Sequence, residues 1–386
     1  MSRVATRFQR PRRRLLALST VALIAACSPT AAPSGGGTPP SAATSPDPGS
    51  PTGLGATYDE VLARANQEGT LNLWSNTYGD PSNIKLLEDG LNAATGAQIT
   101  IVAAPVSAQD AVTRLVAEQA AGKTPPSADV LESSASTLQP LADAGLIMSV
   151  DWEGLFGEKF EGIADRAAKG VPAGKGLELG NSVYTIVYNT ELISADELPK
   201  TWEELADPTW AGKFAADPRG YPFNYFAPTW GEERVLDLVT RIAANNPLWV
   251  SGASNITAAI SQGEVAFGLA NTNQAEVLKA QGQPIDWYAP SEVPVVGQHS
   301  IIVEGTPHPN ATALFNAWRT SEEGREVLWE VEKLALAWPN VGSPIGDKLA
   351  ADGVKFEVPV DQADVELSND ILAKLGDIIE AAQGGG

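Results

Sequence analysis

The chain has 386 residues, 43% of them hydrophobic, with one cysteine and 47 acidic against 26 basic side chains, a net charge of −21. Six of the basic residues (Arg3, Arg7, Arg10, Arg12, Arg13, Arg14) precede Cys27 and no acid does, so from Cys27 onward 20 basic residues face 47 acidic ones and the net charge is −27. That balance excludes nucleic acid as a partner, and a lone cysteine leaves stability to packing, for which the length suffices to build two cores of ordinary domain size.

The N-terminus reads as a basic stretch ending at Arg14, an apolar run over 15–26 and the small pair Ala25-Ala26 just before Cys27. This is the pattern of a bacterial lipoprotein signal, and an apolar run of 12 residues is too short to cross a bilayer. The expectation is a removed signal over 1–26, lipidation of Cys27, and a domain held at the membrane outside the cytoplasm by that lipid alone. From 27 to 57 the chain is Pro, Gly, Ser, Thr and Ala with hardly a large apolar side chain, a disordered stalk.

Beyond the stalk, short β-like runs alternate with amphipathic helical stretches, which predicts parallel sheets covered by helices. In the first unit, 58–68 reads as a helix and 70–74 as a strand. Asp80-Pro81 then caps a helix over 83–94. A strand over 98–104, a helix over 107–121 and a strand over 128–131 follow. The apolar run 183–188 opens a second set: helices over 201–206, 232–244, 254–261 and 274–280, and strands over 213–216, 265–270 and 285–288. The run 300–303 then leads to helices over 310–319 and 322–336. The fold class is therefore α/β, two open α/β lobes joined by a two-crossing hinge with a ligand cleft between them. The first lobe takes 58–180 plus 293–382 and the second 181–292.

Ligands of open α/β sheets lie just outside the carboxyl ends of the strands. Small polar residues recur there: Ser75, Asn76 and Thr77 after the first strand, Ser133 and Ser134 after the third, and Asn255, Asn271 and Asn273 in the second lobe. Such side chains also cap helices and turns, so their recurrence rather than any one residue is the signal. Arg219, at the end of a second-lobe strand, supplies a planar cation able to grip phosphate or carboxylate at two points. Asn181 and Ser182 precede the crossing strand and are candidates for the cleft. Tyr184 and Tyr188 share one face of that strand and are expected in the core; of Tyr221, Phe223, Tyr225 and Phe226, one or two could wall the cleft. His299 and His308 lack a partner histidine for a zinc site, so no metal ligand is assigned.

Four segments carry a resemblance: Y-N-T-E-L-I (188–193), P-K-T-W-E-E-L-A-D-P-T-W-A-G-K (199–213), A-I-S-Q-G-E-V-A-F-G-L-A (259–270) and E-G-T-P-H-P-N-A-T-A-L-F-N-A-W (304–318). They resemble extracellular solute-binding proteins of ABC importers, in the branch that includes ferric-ion-binding proteins, with the periplasmic-binding-protein type II fold. The resemblance implies a monomeric, hinge-bending receptor that needs no cofactor, catalyses nothing, and hands its solute to a permease driven by an ATPase. Iron-binding members carry adjacent tyrosines just past the strand that follows a G-E-[VI] turn; here Gly263-Glu264-Val265 leads to Asn271-Thr272-Asn273, without tyrosine. Neutral amides cannot supply the charge that ferric ion demands. The expected solute is thus a small anion, with ferric ion or a ferric chelate as the alternative. A secreted glycan hydrolase is the rival of another class, since with 47 acids a carboxylate pair is not excluded by sequence. The chain otherwise lacks H-E-x-x-H, G-x-S-x-G and Walker motifs.

Overall fold

The computed structural model describes residues 53–75, 80–168, 175–333, 344–358 and 362–384, all within the unit Pro46–Gly386. Cys27, the signal and all but the last five stalk residues lie outside the described residues, as do Asn76 and Thr77. The first elements form where local chemistry directs them. Helix α1 (Tyr58–Glu68) starts at Thr57, whose hydroxyl accepts from the Glu60 N–H, and stops at Gly69 in the left-handed conformation. Strand β1 (Thr70–Trp74) follows at once. Helix α2 (Pro81–Thr95) begins with Asp80 accepting from the Ser82 N–H at 2.8 Å and with proline at its first position, where the missing N–H costs nothing. Strand β2 (Thr100–Ala104), helix α3 (Ala108–Ala120, capped by Ser107), strand β3 (Val130–Ser134) and helix α4 (Ala135–Asp143) complete the first run. Two short helices, α5 (Trp152–Phe156) and α6 (Ile163–Ala168), lead to the longest strand, β4 (Gly176–Asn189).

The rest of the chain contributes β5 (Phe214–Ala216), α7 (Ala227–Trp230), α8 (Glu232–Ala244), β6 (Leu248–Trp249), α9 (Ala253–Ser261), β7 (Phe267–Asn271), α10 (Thr272–Ala280) and β8 (Ile285–Tyr288). The long strand β9 (Glu292–Ile302), α11 (Pro309–Trp318), α12 (Glu322–Glu332), α13 (Pro344–Ala351), β10 (Lys355–Glu357) and α14 (Gln362–Gly384) follow. The strand order is β2-β1-β3-β9-β4-β7-β5-β6, with β10 on β9 and β8 on β4. β1 pairs parallel with β2 and β3, and β5 parallel with β6 and β7, as crossover helices require.

β4 and β9 belong to both lobes. Residues 176–183 of β4 run antiparallel to 295–301 of β9 in the first lobe, with a bulge at Leu179, while 184–189 of β4 pair with β7 and β8 in the second. Two strands thus pass between the halves, and the cleft lies where they cross. The expected crossings near 181–188 and 293–303 fall on these strands. β4 starts earlier than its apolar run implies because Gly176 and Gly180 dilute the hydrophobic signal while the backbone there still finds β9 as its partner.

Separate cores hold the lobes. In the first, Leu71, Leu73, Ile101, Val130 and Leu177 from the sheet meet Val61 and Ala65 of α1 and Phe315 and Trp318 of α11. Every residue of α11 is buried, and its polar members Asn310, Thr312 and Asn316 are hydrogen-bonded to Glu68, the His308 carbonyl and Arg319. The second core packs Phe214, Phe267, Trp202, Phe223 and Phe226 around β4 and β7, and each such side chain contributes roughly 2–3 kcal/mol by leaving water. One boundary differs from expectation. Ile345, Leu349, Ile371, Leu375 and Ile379, from α13 and α14, join the second core, so the C-terminal segment packs mainly on the second lobe, with α14 also touching α4 of the first. The polar-to-apolar pattern of an amphipathic helix fixes that one face is buried, but not against which neighbour.

Candidate functional site

The cleft between the lobes has a volume of about 840 Å³. Its first-lobe wall is made by the carboxyl ends of β1 and β3. Ser75 follows β1, held by its N–H on the Ala104 carbonyl at 3.1 Å, and Ser133 and Ser134 end β3. Ser134 occupies the N-cap position of α4, yet its hydroxyl does not cap the helix and instead lies 3.1 Å from both Ser136 Oγ and Thr137 Oγ1. Hydroxyls therefore cluster where the positive end of a helix dipole faces the cleft. Glu132 also lines this wall, and its carboxylate is paired with the fully buried Arg319 behind it.

Asp80, Glu330, Glu332 and Lys333 line the cleft as well, and the second-lobe wall carries Arg219. After β5 the chain turns at Asp217, a buried carboxylate that accepts from the Arg219 and Gly252 N–H groups at 2.9 and 2.8 Å. It also takes a two-point grip from Arg219, Nε to Oδ1 at 2.9 Å and Nη2 to Oδ2 at 2.6 Å. The hydrogen bond to Asp217 raises the Arg219 pKa further above its ordinary value. Asp217 occupies two of the five guanidinium N–H donors, and the half-exposed side chain presents the other three. The guanidinium lies 4.9 Å over the Tyr221 ring. Tyr184, Tyr221 and Tyr225 stand beside it in the cleft, with ring centroids of Tyr225 at 6.1 Å from Tyr184 and 5.7 Å from Tyr221. Burial pushes all three phenols above their ordinary pKa, so they stay neutral hydroxyls, with those of Tyr221 and Tyr225 hydrogen-bonded to each other. Asn271 and Asn273, at the start of α10, complete the wall; their Oδ1 atoms are buried with no protein partner among the described residues.

Of the residues singled out from sequence, Ser75, Ser133, Ser134, Ser182, Arg219, Asn271 and Asn273 come together around this cleft. Asn181 does not, because successive strand residues point to opposite faces: Ser182 lines the cleft while Asn181 is buried behind it, donating to Glu178 Oε1 at 2.7 Å. Asn255 is exposed and its amide is tied to the Ser251 carbonyl at 2.8 Å; its neighbour Ser254 lines the cleft in its place. Sequence reasoning placed Tyr184 in the core and passed over Glu132. Tyr184 carries the same strand alternation as Ser182, two residues earlier, which was the available signal. Among the described residues no group of three His, Cys, Asp or Glu is arranged to hold a metal ion.

Residues 89–352 match the profile of the family described as bacterial extracellular solute-binding protein. The chain belongs to that family. No curated protein sequence matches it. Iron-bound HitA from Pseudomonas aeruginosa superposes with a TM-score of 0.59 at 19% identity, covering 80% of this chain and 99% of HitA. The substrate-binding protein of an ABC transporter from Agrobacterium tumefaciens gives 0.64 at 15% identity, covering 83% and 96%. The periplasmic binding protein AfuA from Actinobacillus pleuropneumoniae, with fructose-6-phosphate bound, gives 0.57 at 17% identity, covering 81% and 99%. These likenesses establish the periplasmic-binding-protein type II fold, with its two α/β lobes and hinge. Among the described residues no helix is long and apolar enough to cross a membrane.

Proposed function

We propose that this solute-binding protein is the lipid-anchored receptor of an ABC importer, capturing a small anion, with organic phosphate or phosphonate the preferred class. The observation that carries the reading is Arg219, clamped on buried Asp217 with three donors left over, among the neutral hydroxyls of Tyr184, Tyr221 and Tyr225. Across the cleft, Ser75, Ser133 and Ser134 offer further donors. An oxyanion held in the second lobe would gain those donors only when the lobes approach, and that differential affinity is what drives closure. The closed monomer would then be recognised by the permease and its ATPase. Lipid at Cys27 would keep it at the outer face of the membrane. Nothing in this mechanism breaks a covalent bond.

One observation favours a second reading. Three tyrosines line the cleft, and phenolates are hard ligands suited to ferric ion. Against it, the guanidinium over Tyr221 would oppose a cation, and the carboxylate of Asp217 is already engaged by four donors.

Thermal-shift screening of the purified protein against phosphates, phosphonates, carboxylates, sugars and ferric citrate separates these readings. The anion reading expects stabilisation by an oxyanion without turnover, and Arg219→Ala should weaken that compound by roughly 10–100-fold, the worth of a charge-assisted pair. Binding unchanged in Arg219→Ala would overturn it. Ferric binding would announce itself by a visible phenolate-to-iron absorption band, and a glycan hydrolase by consumption of its substrate.

A further inference from the structure

Helix α14 lies beyond the residues that match the family profile. It packs on α7, α8 and the 3-10 turn Phe223–Phe226 of the second lobe and also touches α4, whose first turn carries the hydroxyl cluster of the opposite wall. Asn224 Nδ2 donates to the Ser368 carbonyl at 3.4 Å, and Lys374 pairs with Glu232 at 2.5 Å. The tightest approach is at Gly220. Its φ is +98°, and a Cβ placed there would lie 2.5 Å from Leu375 Cβ and 2.9 Å from Leu375 Cδ1.

Gly220 is the middle of the turn that carries Arg219. Its N–H donates to the Asp217 carbonyl and its carbonyl accepts from the Phe223 N–H, both at 3.0 Å, with Arg219 on one side and Tyr221 on the other. Leu375 is fully buried and fills the space a side chain at 220 would need. Packed interiors do not deform continuously, so a side chain seated directly on a backbone turn fixes where that turn sits. We propose that Leu375 is a positioning residue of the solute site, and that α14 is the backing against which the 217–223 turn holds Arg219 and Tyr221 toward the cleft. The proposal rests on Arg219 being the anion contact, but its structural half does not depend on the identity of the solute.

The test compares Leu375→Ala with Ile379→Ala, an equally buried residue one turn further along α14, whereas the three atoms nearest a Cβ at 220 all belong to Leu375. Hydrogen exchange reads the turn directly, because the Arg219 and Gly252 amides both donate to Asp217. In Leu375→Ala these two amides should exchange at least about tenfold faster than in Ile379→Ala, and calorimetric titration with inorganic phosphate should show affinity lower by about tenfold in the first variant only, a partial loss of one charge-assisted contact. Equal exchange rates at both amides in the two variants would overturn the proposal and leave α14 an ordinary core helix. Leu375→Val, which removes a single methylene, carries the same comparison if the alanine variant does not fold. Should wild-type protein take up no phosphate while the exchange contrast holds, the anion assignment fails and the positioning role stands.

Discussion

Replacing Arg319 by methionine should destabilise the protein by about 3–5 kcal/mol. Arg319 follows α11, has no exposed surface, and rests its guanidinium 4.0 Å over the Phe315 ring. Nη1 pairs with Glu132, and Nη2 donates to Ser300 Oγ at 2.9 Å and Asn316 Oδ1 at 2.6 Å. Methionine keeps most of the stem packing but removes every one of those donors, so a carboxylate only 13% exposed loses its counter-charge. Breaking a buried pair from one side is costly for that reason, whereas removing both charges is often nearly neutral. At roughly 2 °C per kcal/mol for a body of this size, the melting temperature should fall by about 6–10 °C. The double variant Arg319→Met/Glu132→Gln strands no charge and should recover most of the loss. Urea denaturation at constant m-value measures both. A single variant within about 1 kcal/mol of wild type, or a double variant no better than the single, would refute the account of this pair as a mutually dependent buried unit.

Two further outcomes are expected. For His308, burial alone would lower the pKa, but the hydrogen bond from Nδ1 to Asp129 at 2.9 Å and the charges of Asp129 and Glu68 outweigh it, so the folded-state value is raised. A raised folded pKa means stability that is full below the ordinary histidine value of about 6.5 and is lost as pH rises through the folded one; melting temperature against pH should show that decline in wild type and lose it in His308→Gln. Tyr225→Phe keeps the ring but removes the hydroxyl that hydrogen-bonds to Tyr221, so anion affinity by calorimetry should fall by roughly 3–10-fold while the melting temperature moves by only about 2 °C; unchanged affinity would take the Tyr225 hydroxyl out of the site.

The local frame was legible because caps and periodicity are short-range. Asp80-Pro81, Thr57 with Gly69, and the alternation in 70–74 each determine their own element within a few residues, and β1, α1 and α8 fall on their expected bounds. The strand-end rule then picked out Ser75, Ser133, Ser134, Asn271 and Asn273, which line the cleft, but also Asn255, which does not. What stayed hidden depends on contacts between distant segments. Whether Asn181 or Ser182 faces the cleft turns on register: β4 pairs Ser182 with Val296 and has its bulge three residues earlier, at Leu179, and a shift of one residue would have exchanged their roles. The tyrosines could not be told from core aromatics by composition, since Phe223 and Phe226 of the same stretch are core and Tyr221 and Tyr225 line the cleft. Likewise α14 lies beyond the last helix expected from sequence, which ends at 336, and only the Gly220 and Leu375 approach shows that its neighbour is the turn bearing Arg219.

An acidic surface is compatible with the proposed anion site because the two act over different distances. From Cys27 onward the chain carries −27, yet exposed charges are screened beyond about 8 Å at physiological salt, so the surface sets solubility and encounter more than binding. Inside the cleft the relevant quantity is how many donors face inward without an acceptor of their own. Asp217 neutralises Arg219 formally, but by taking the two-point grip on one edge it orients the remaining donors, and its own lone pairs are spent on two backbone N–H groups and that edge. Glu132 is similarly held back by Arg319. Asp217 and Glu132 are therefore tied from behind, and a solute meets hydroxyls, amides and one fixed guanidinium edge together with the charges of Asp80, Glu330, Glu332 and Lys333, which also line the cleft. A free lysine in the place of Arg219 would give the same charge without that orientation, since a single ammonium cannot grip Asp217 and a solute oxyanion in one plane.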